Sequence, residues 1–173
     1  MRQIQFYGAM SLDGYLATTK HNLQWLLDTP GGDKANSELF FDQIDTTIMG
    51  RKTYDVSKEL MNNEPFYPDK TNYVLSNNRH GREADAIYYN NSPVKLVQDL
   101  LDQSGGNIWI VGGGQIVTDL LAANLIDEWW IQIAPVILGD GIRLFANGDY
   151  STRLELLNVN QYDQLAELHL RRK

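Results

Sequence analysis

Three short segments carry residue types suited to binding phosphate. The first is Trp109-Ile-Val-Gly-Gly-Gly-Gln-Ile-Val117, an apolar run that passes through three glycines into a helical pattern. Glycine lets a ligand approach the backbone closely, and free N–H groups at a helix start attract anions. The spacing departs from the dinucleotide fingerprint, because Val117 stands where a third glycine or alanine belongs. No Lys-Ser or Lys-Thr follows, so it is not a Walker loop. A tight strand–helix turn without a ligand explains the segment equally well.

The second segment is Ile48-Met-Gly-Arg-Lys-Thr-Tyr54, where a short strand ends at Gly50 and two cations and a hydroxyl open a helix. Cations are disfavoured at a helix N-terminus, where the macrodipole is already positive. Arg51 and Lys52 make better sense there with an anion between them, and Arg51 offers a planar fork for it. Solvated surface cations are the plainer explanation. The third is Asn72-Tyr-Val-Leu-Ser-Asn-Asn-Arg79, a strand running out into a polar loop where Ser76 and Arg79 could meet an anion, though a bare strand–loop exit is the more frequent explanation. Together the three favour an extended phosphorylated ligand at the carboxyl ends of parallel strands.

Other candidates are weaker. Asp13 stands at a strand end and invites the role of acid, but Asp13-Gly14 is more simply a turn. His21, His80 and His169 are far apart without metal-ligand spacing and read as surface or loop histidines, so no metal is expected. With no cysteine, thiolate catalysis and disulfides are excluded and a reducing, cytoplasmic setting is expected. Phe66, Tyr67 and Pro68 read equally as a pocket wall or an anchored aromatic loop. No residue stands out as a proton donor, so the catalytic set stays unassigned.

The elements that must position these segments alternate. Ile4–Met10 reads as a strand ending in the Asp13-Gly14 turn, and Asp33 caps a helix expected to reach about Ile44. Strands follow at Thr46–Met49, Asn72–Leu75 and Ala86–Tyr89, with a helix over Arg51–Met61 and a polar loop over Ser76–Arg82. Ser92-Pro93 is a strong helix start, and Gly105-Gly106 stop that helix. A strand at Ile108–Val111 and a helix to about Asn124 precede three long strands, Asp127–Leu138, Arg153–Gln161 and Leu165–Arg172. The last two close a hairpin through Tyr162-Asp163-Gln164. The expected fold is α/β, a mostly parallel sheet flanked by helices with a C-terminal antiparallel hairpin. Trp129 and Trp130 must face opposite sides of their strand, so one needs cover, and a homodimer along the C-terminal strands is expected to supply it.

At 173 residues the chain fits a single domain spanning 1–173. Its net charge of -7 argues against a nucleic-acid partner but not against a phosphorylated small molecule. No apolar run approaches the ~20 residues of a membrane span, so no membrane partner is expected.

The order of motifs resembles the dihydrofolate reductase superfamily. Ser11-Leu-Asp-Gly-Tyr-Leu-Ala17, Met49-Gly-Arg-Lys-Thr-Tyr54, Val74-Leu-Ser76 and Val111-Gly-Gly-Gly114 carry that resemblance. Asp119-Leu-Leu-Ala-Ala-Asn-Leu-Ile-Asp-Glu-Trp129 and Ala134-Pro-Val-Ile-Leu-Gly-Asp-Gly-Ile-Arg-Leu-Phe145 are more similar to the reductase domain of bifunctional riboflavin-biosynthesis deaminase–reductases. The resemblance implies NADPH as cofactor. Arg51 and Thr53, with Gly50 and Lys52 in the same turn, would hold its adenosine-side phosphates. Ser76 would hold the 2′-phosphate, with Arg79, or Arg82 in its place, as helper. Gly112, Gly113 and Gly114 would lie along the pyrophosphate between Val111 and the helix opened by Gln115 and Ile116. Ala9 and Leu16 would meet the nicotinamide carboxamide, under a flap running from Asp13 to Trp25. Trp25, Asn36, Phe40 and Phe41 would face the substrate.

One departure bears on the substrate. Dihydrofolate reductase carries a carboxylate four residues before a helix phenylalanine, whereas Asn36 or Ser37 stands there in this chain. Glu38 and Asp33 fall off that face. The expectation is therefore an NADPH-dependent reductase resembling 5-amino-6-(5-phosphoribosylamino)uracil reductase, acting on a pyrimidine- or pterin-related small molecule. Dihydrofolate reduction is one alternative, and a non-catalytic nucleotide-binding or scaffolding homologue is the other.

Overall fold

The computed structural model describes residues 1–35 and 37–173. One nine-stranded sheet organises the chain. Its strands are β1 (Ile4–Ser11), β3 (Ile44–Gly50), β4 (Thr71–Leu75), β5 (Gly81–Glu83), β6 (Ala86–Tyr89), β7 (Asn107–Gly112), β8 (Glu128–Ala134), β10 (Leu154–Tyr162) and β11 (Leu165–Arg172). They lie in the order β10-β11-β8-β1-β7-β3-β4-β6-β5. From β8 to β6 every neighbouring pair is parallel, and both edges are antiparallel. The C-terminal hairpin is present, with Asp163 at φ 56° in its turn. A separate two-stranded ribbon pairs β2 (Tyr15–Ala17) with β9 (Ile142–Arg143).

Side-chain alternation splits the core into two layers. Ile4 and Phe6 of β1 face a cluster with Ile108, Ile110 and Trp129, covered by α4 (Pro93–Leu101) and α5 (Gly114–Ala122). On the other side lies an aromatic layer of Phe40, Tyr54, Phe66 and Trp109, with Tyr7, Phe41 and Trp130 packed against it. It is closed by α2 (Glu38–Phe41) and α3 (Arg51–Leu60). The start of α4 is as expected: Pro93 occupies its first turn and the Ser92 hydroxyl accepts Val94 N–H at 3.2 Å.

Three expectations are corrected. The helix read from Asp33 to Ile44 is instead a 3-10 turn, Gly32–Lys34, followed by the single turn α2. Ala35 breaks it by adopting extended geometry (φ -63°, ψ 123°), which delivers Phe40 and Phe41 together onto Tyr7 and Trp109. The strand read to Leu138 ends at Ala134, because Pro135 has no N–H to continue the ladder. The polar loop after Ser76 contains β5, which turns back onto β6 through Ala84, itself at φ 47°. The one-turn α1 (Gln24–Leu27) and the β2–β9 ribbon carry too few residues to show periodicity.

Both tryptophans have ring contacts within the chain. Trp129 packs on Phe6 and Phe145, while Trp130 meets Phe40 and is stacked by His169 at 3.6 Å between ring centroids. Trp129 is thereby buried within the chain, while Trp130 stays half-buried.

Candidate functional site

The parallel strands β1, β7, β3 and β4 end on one side in a cleft of about 620 Å³. That size suits an elongated small ligand. Its floor is Gly8, Ala9 and the turn Val111-Gly112-Gly113-Gly114, and one wall is Leu16, Ala17, His21, Leu23 and Leu26. The opposite wall is the first two turns of α3, from Arg51 to Ser57, and the exit of β4 from Leu75 to Asn78. Gln115, Ile116 and Ile142 complete it.

Two helices begin at this cleft without caps. Gly50 precedes α3 and Gly113 precedes α5; neither offers a side-chain cap, and neither first turn holds an acidic residue. Their first N–H groups therefore lack intrahelical acceptors, and both dipoles add positive potential to the cleft. Arg51 and Lys52 add formal charge, and Arg51 takes part in no ion pair among the described residues. No carboxylate lines the cleft among the described residues. On a chain of net charge -7, this lining is chemically suited to an anion.

Glycine is required at two places in the floor. Gly112 sits at φ 137°, a region hostile to side chains, and its peptide with Gly113 is cis. A β-carbon on Gly114 would overlap the carbonyl oxygen of Arg143, so the start of α5 lies directly against the segment that carries β9.

The flap is rooted in that same segment. Leu12 N–H donates to Val136 O at 2.8 Å, and Leu144 N–H to Gly14 O at 3.0 Å. The Asp13 carboxylate accepts the Ser11 hydroxyl at 2.7 Å, Gly139 N–H at 2.7 Å and Leu138 N–H at 3.1 Å. The Ser11 bond, aided by these backbone donors, lowers the Asp13 pKa to about 2. Asp13 is therefore ionised near neutral pH and engaged as an acceptor at the root of the flap. Beyond it, a turn from Thr18 to Asn22 places His21 at φ 59° with Nε2 lying 3.4 Å from Lys52 Nζ.

The cleft brings together Ala9, Leu16, Gly50, Arg51, Lys52, Thr53, Ser76, Val111, Gly112, Gly113, Gly114, Gln115 and Ile116. Arg79 is turned away: its guanidinium donates to the Tyr88 hydroxyl at 2.8 Å and lies over that ring. The Ser76 hydroxyl oxygen accepts Asn78 N–H at 3.3 Å and Arg79 N–H at 3.2 Å, leaving its proton to donate. On the substrate side, Phe40 and Phe41 are held in the aromatic layer and do not line the cleft. Trp25 is half-buried with its Nε1 unpartnered among the described residues, and Asn36 lies outside them.

Sequence reasoning passed over His21, Leu23, Leu26, Val56 and Ser57. The helical offset of three and four residues from Thr53 was the available signal for Val56 and Ser57. A buried polar chain was also missed. Glu167, 3% exposed, accepts Gln132 Nε2–H at 3.1 Å, and the same nitrogen donates to the Tyr7 hydroxyl at 3.0 Å. Burial, together with the Glu167 charge, pushes the Tyr7 hydroxyl pKa up.

A family model for the RibD C-terminal domain matches residues 2–166. The chain belongs to the RibD C-terminal domain family. Among its relatives is the uncharacterized protein YwjB of Bacillus subtilis, 36% identical over 170 residues, or 97% of each chain. A putative riboflavin biosynthesis protein from Shewanella sp. PV-4 superposes with a TM-score of 0.83 at 27% identity, covering 100% of this chain and 99% of that one. Dihydrofolate reductase from Enterococcus faecalis, solved with NADP(H), shares the fold at a TM-score of 0.68 and 17% identity, over 99% of this chain and 96% of that one. The RibD C-terminal architecture here is thus the dihydrofolate reductase-like α/β fold. No helix among the described residues is long and apolar enough to cross a membrane, and none of their His, Cys, Asp and Glu side chains form a group able to hold a metal ion.

Proposed function

We propose that this protein is an NADPH-dependent reductase acting on a pyrimidine-related phosphoribosyl compound of the 5-amino-6-(5-phosphoribosylamino)uracil type. One observation carries the reading: a cleft at the strand ends lined by cations, two uncapped helix starts and a glycine turn, with no carboxylate among its described lining. Those features fit a dinucleotide phosphate. Arg51 and Thr53 would hold its adenosine-side phosphates, Ser76 its 2′-phosphate, and Gly112 to Gly114 its pyrophosphate, with Lys52 also on the cofactor. Ala9 and Leu16 would seat the nicotinamide, which supplies the hydride when bound. The protein's share is positioning and exclusion of water beneath Leu23 and Leu26. With Asp13 ionised and engaged, the proton comes from water or from the substrate itself.

A neutral Asn36 or Ser37 at the position of the pterin-binding acid favours a pyrimidine over dihydrofolate. In this reading the enzyme works in the reducing cytoplasm, and it pairs as a homodimer through β10, an edge strand with Leu156 and Val159 exposed. The deciding experiment is calorimetric titration with NADPH and NADH, followed by an assay of NADPH oxidation against pyrimidine and pterin phosphates. Binding of NADPH with turnover of a pyrimidine supports the proposal. Binding without turnover across the panel favours a nucleotide-binding homologue that has lost catalysis, and no binding overturns the reading.

A further inference from the structure

We infer that His21 is a phosphate ligand that, with Lys52, straps the flap down over the pyrophosphate of the dinucleotide. The inference rests on the cofactor reading above and adds a residue and a location to it.

Strand order gives the location. The flap follows β1, Lys52 follows β3, and β7 lies between those two strands. A contact from His21 to Lys52 therefore crosses the exit of β7, which is the turn Gly112-Gly113-Gly114. All of these residues line one cleft. Ser76 follows β4, one strand further out, so the strap and Ser76 address different phosphates.

The chemistry agrees. Lys52 Nζ lies 3.4 Å from His21 Nε2, and an ammonium only donates, so Nε2 is the acceptor there. Neither group has another side-chain partner among the described residues. A phosphate oxygen entering beside them gives the ammonium a better acceptor. His21 then turns from acceptor to donor by carrying its proton on Nε2, and both groups point at one anion. The turn that presents His21 is built in advance: His21 N–H donates to Thr18 O at 2.9 Å and Asn22 N–H to Thr18 Oγ1 at 3.1 Å. Closing the flap thus costs little ordering of its tip.

Calorimetric titration of the intact protein with NADPH, NADH and adenosine 2′-monophosphate tests this, using His21→Ala, His21→Gln, Lys52→Ala and Ser76→Ala. Expected is a loss of about ten-fold for His21→Ala, equal for NADPH and NADH because both carry the pyrophosphate. His21→Gln, which keeps an N–H donor, regains part of it. Adenosine 2′-monophosphate, lacking a pyrophosphate, binds His21→Ala as it binds the wild type, and Ser76→Ala weakens NADPH but spares NADH. Unchanged dinucleotide affinity in His21→Ala, or a loss confined to NADPH, overturns the strap while leaving the cofactor reading intact. Wild-type protein that binds neither dinucleotide overturns the cofactor reading itself.

Discussion

Asp13 accepts the backbone N–H of Gly139 at 2.7 Å, tying the root of the flap to the loop that follows β8. The carboxylate that looked available for acid catalysis is used to hold two chain segments together. Asp13→Asn removes the charge and one acceptor from this latch. Expected is a several-fold rise in KM for NADPH with the pH profile of kcat unchanged, read from initial rates. The folded pKa, about 2, lies below the usual carboxylate value. The latch's contribution is therefore fully present above pH 4 or so and fades as pH falls toward 2. An acid unfolding curve for Asp13→Asn should lack that part of the wild-type slope.

Gly114 makes a sharper test of the floor. Its absent side chain is what allows α5 to start against the carbonyl of Arg143. Gly114→Ala must push α5 or the β9 segment aside. Expected is a loss of about 1–3 kcal/mol in chemical denaturation, with dinucleotide binding lost together with it. Gly32→Ala, at an open surface position, should be close to neutral in the same assay.

The legibility of this molecule in its sequence follows length and period. Strands of β1 and β8 and the capped helix α4 announce themselves, because alternation or a Ser-Pro start is a local property. The three phosphate-compatible segments were also visible one by one, since glycine and cation placement at a helix start is local. What stayed hidden depends on distant chain. Arg79 is adjacent to Ser76 in the loop, but Tyr88 on β6 draws its guanidinium away from the cleft. His21 read as a loop histidine, and only the folded chain brings it into one cleft with the glycine turn. The helix read from Asp33 to about Ile44 is interrupted at Ala35, and only one turn remains to set Phe40 and Phe41 in the aromatic layer.

Arg51 separates the anion reading from a surface role. It opens α3 where the dipole opposes it, and no ion pair among the described residues offsets that. Arg51→Ala should therefore leave stability unchanged or raise it slightly, by a few tenths of a kcal/mol. NADPH affinity should fall about ten-fold or more, and its dependence on salt should flatten. A residue that lowers affinity while sparing stability belongs to the ligand. Parallel thermal melts and calorimetric titrations distinguish this from a purely surface arginine, which would alter neither.

The edge strand β10 is one place where apolar side chains lack cover. Trp130, half-buried in the single chain, already has His169 stacked on it at 3.6 Å. In the proposed homodimer Leu156 and Val159 would gain cover, being 56% and 55% exposed on a nine-residue strand whose outer edge is unpaired within the sheet. Such an edge is a template for pairing; the register shift between Leu156 and Asn158 and the Glu155–Arg171 ion pair blunt its first half, leaving Val159 to Tyr162 regular. A homodimer joined through β10 should therefore dissociate when Leu156→Glu and Val159→Lys are combined. Light scattering should then report the monomer mass, while each folded chain keeps its NADPH affinity because the cleft lies on the far side of β8. A wild-type mass already monomeric at working concentration refutes the pairing.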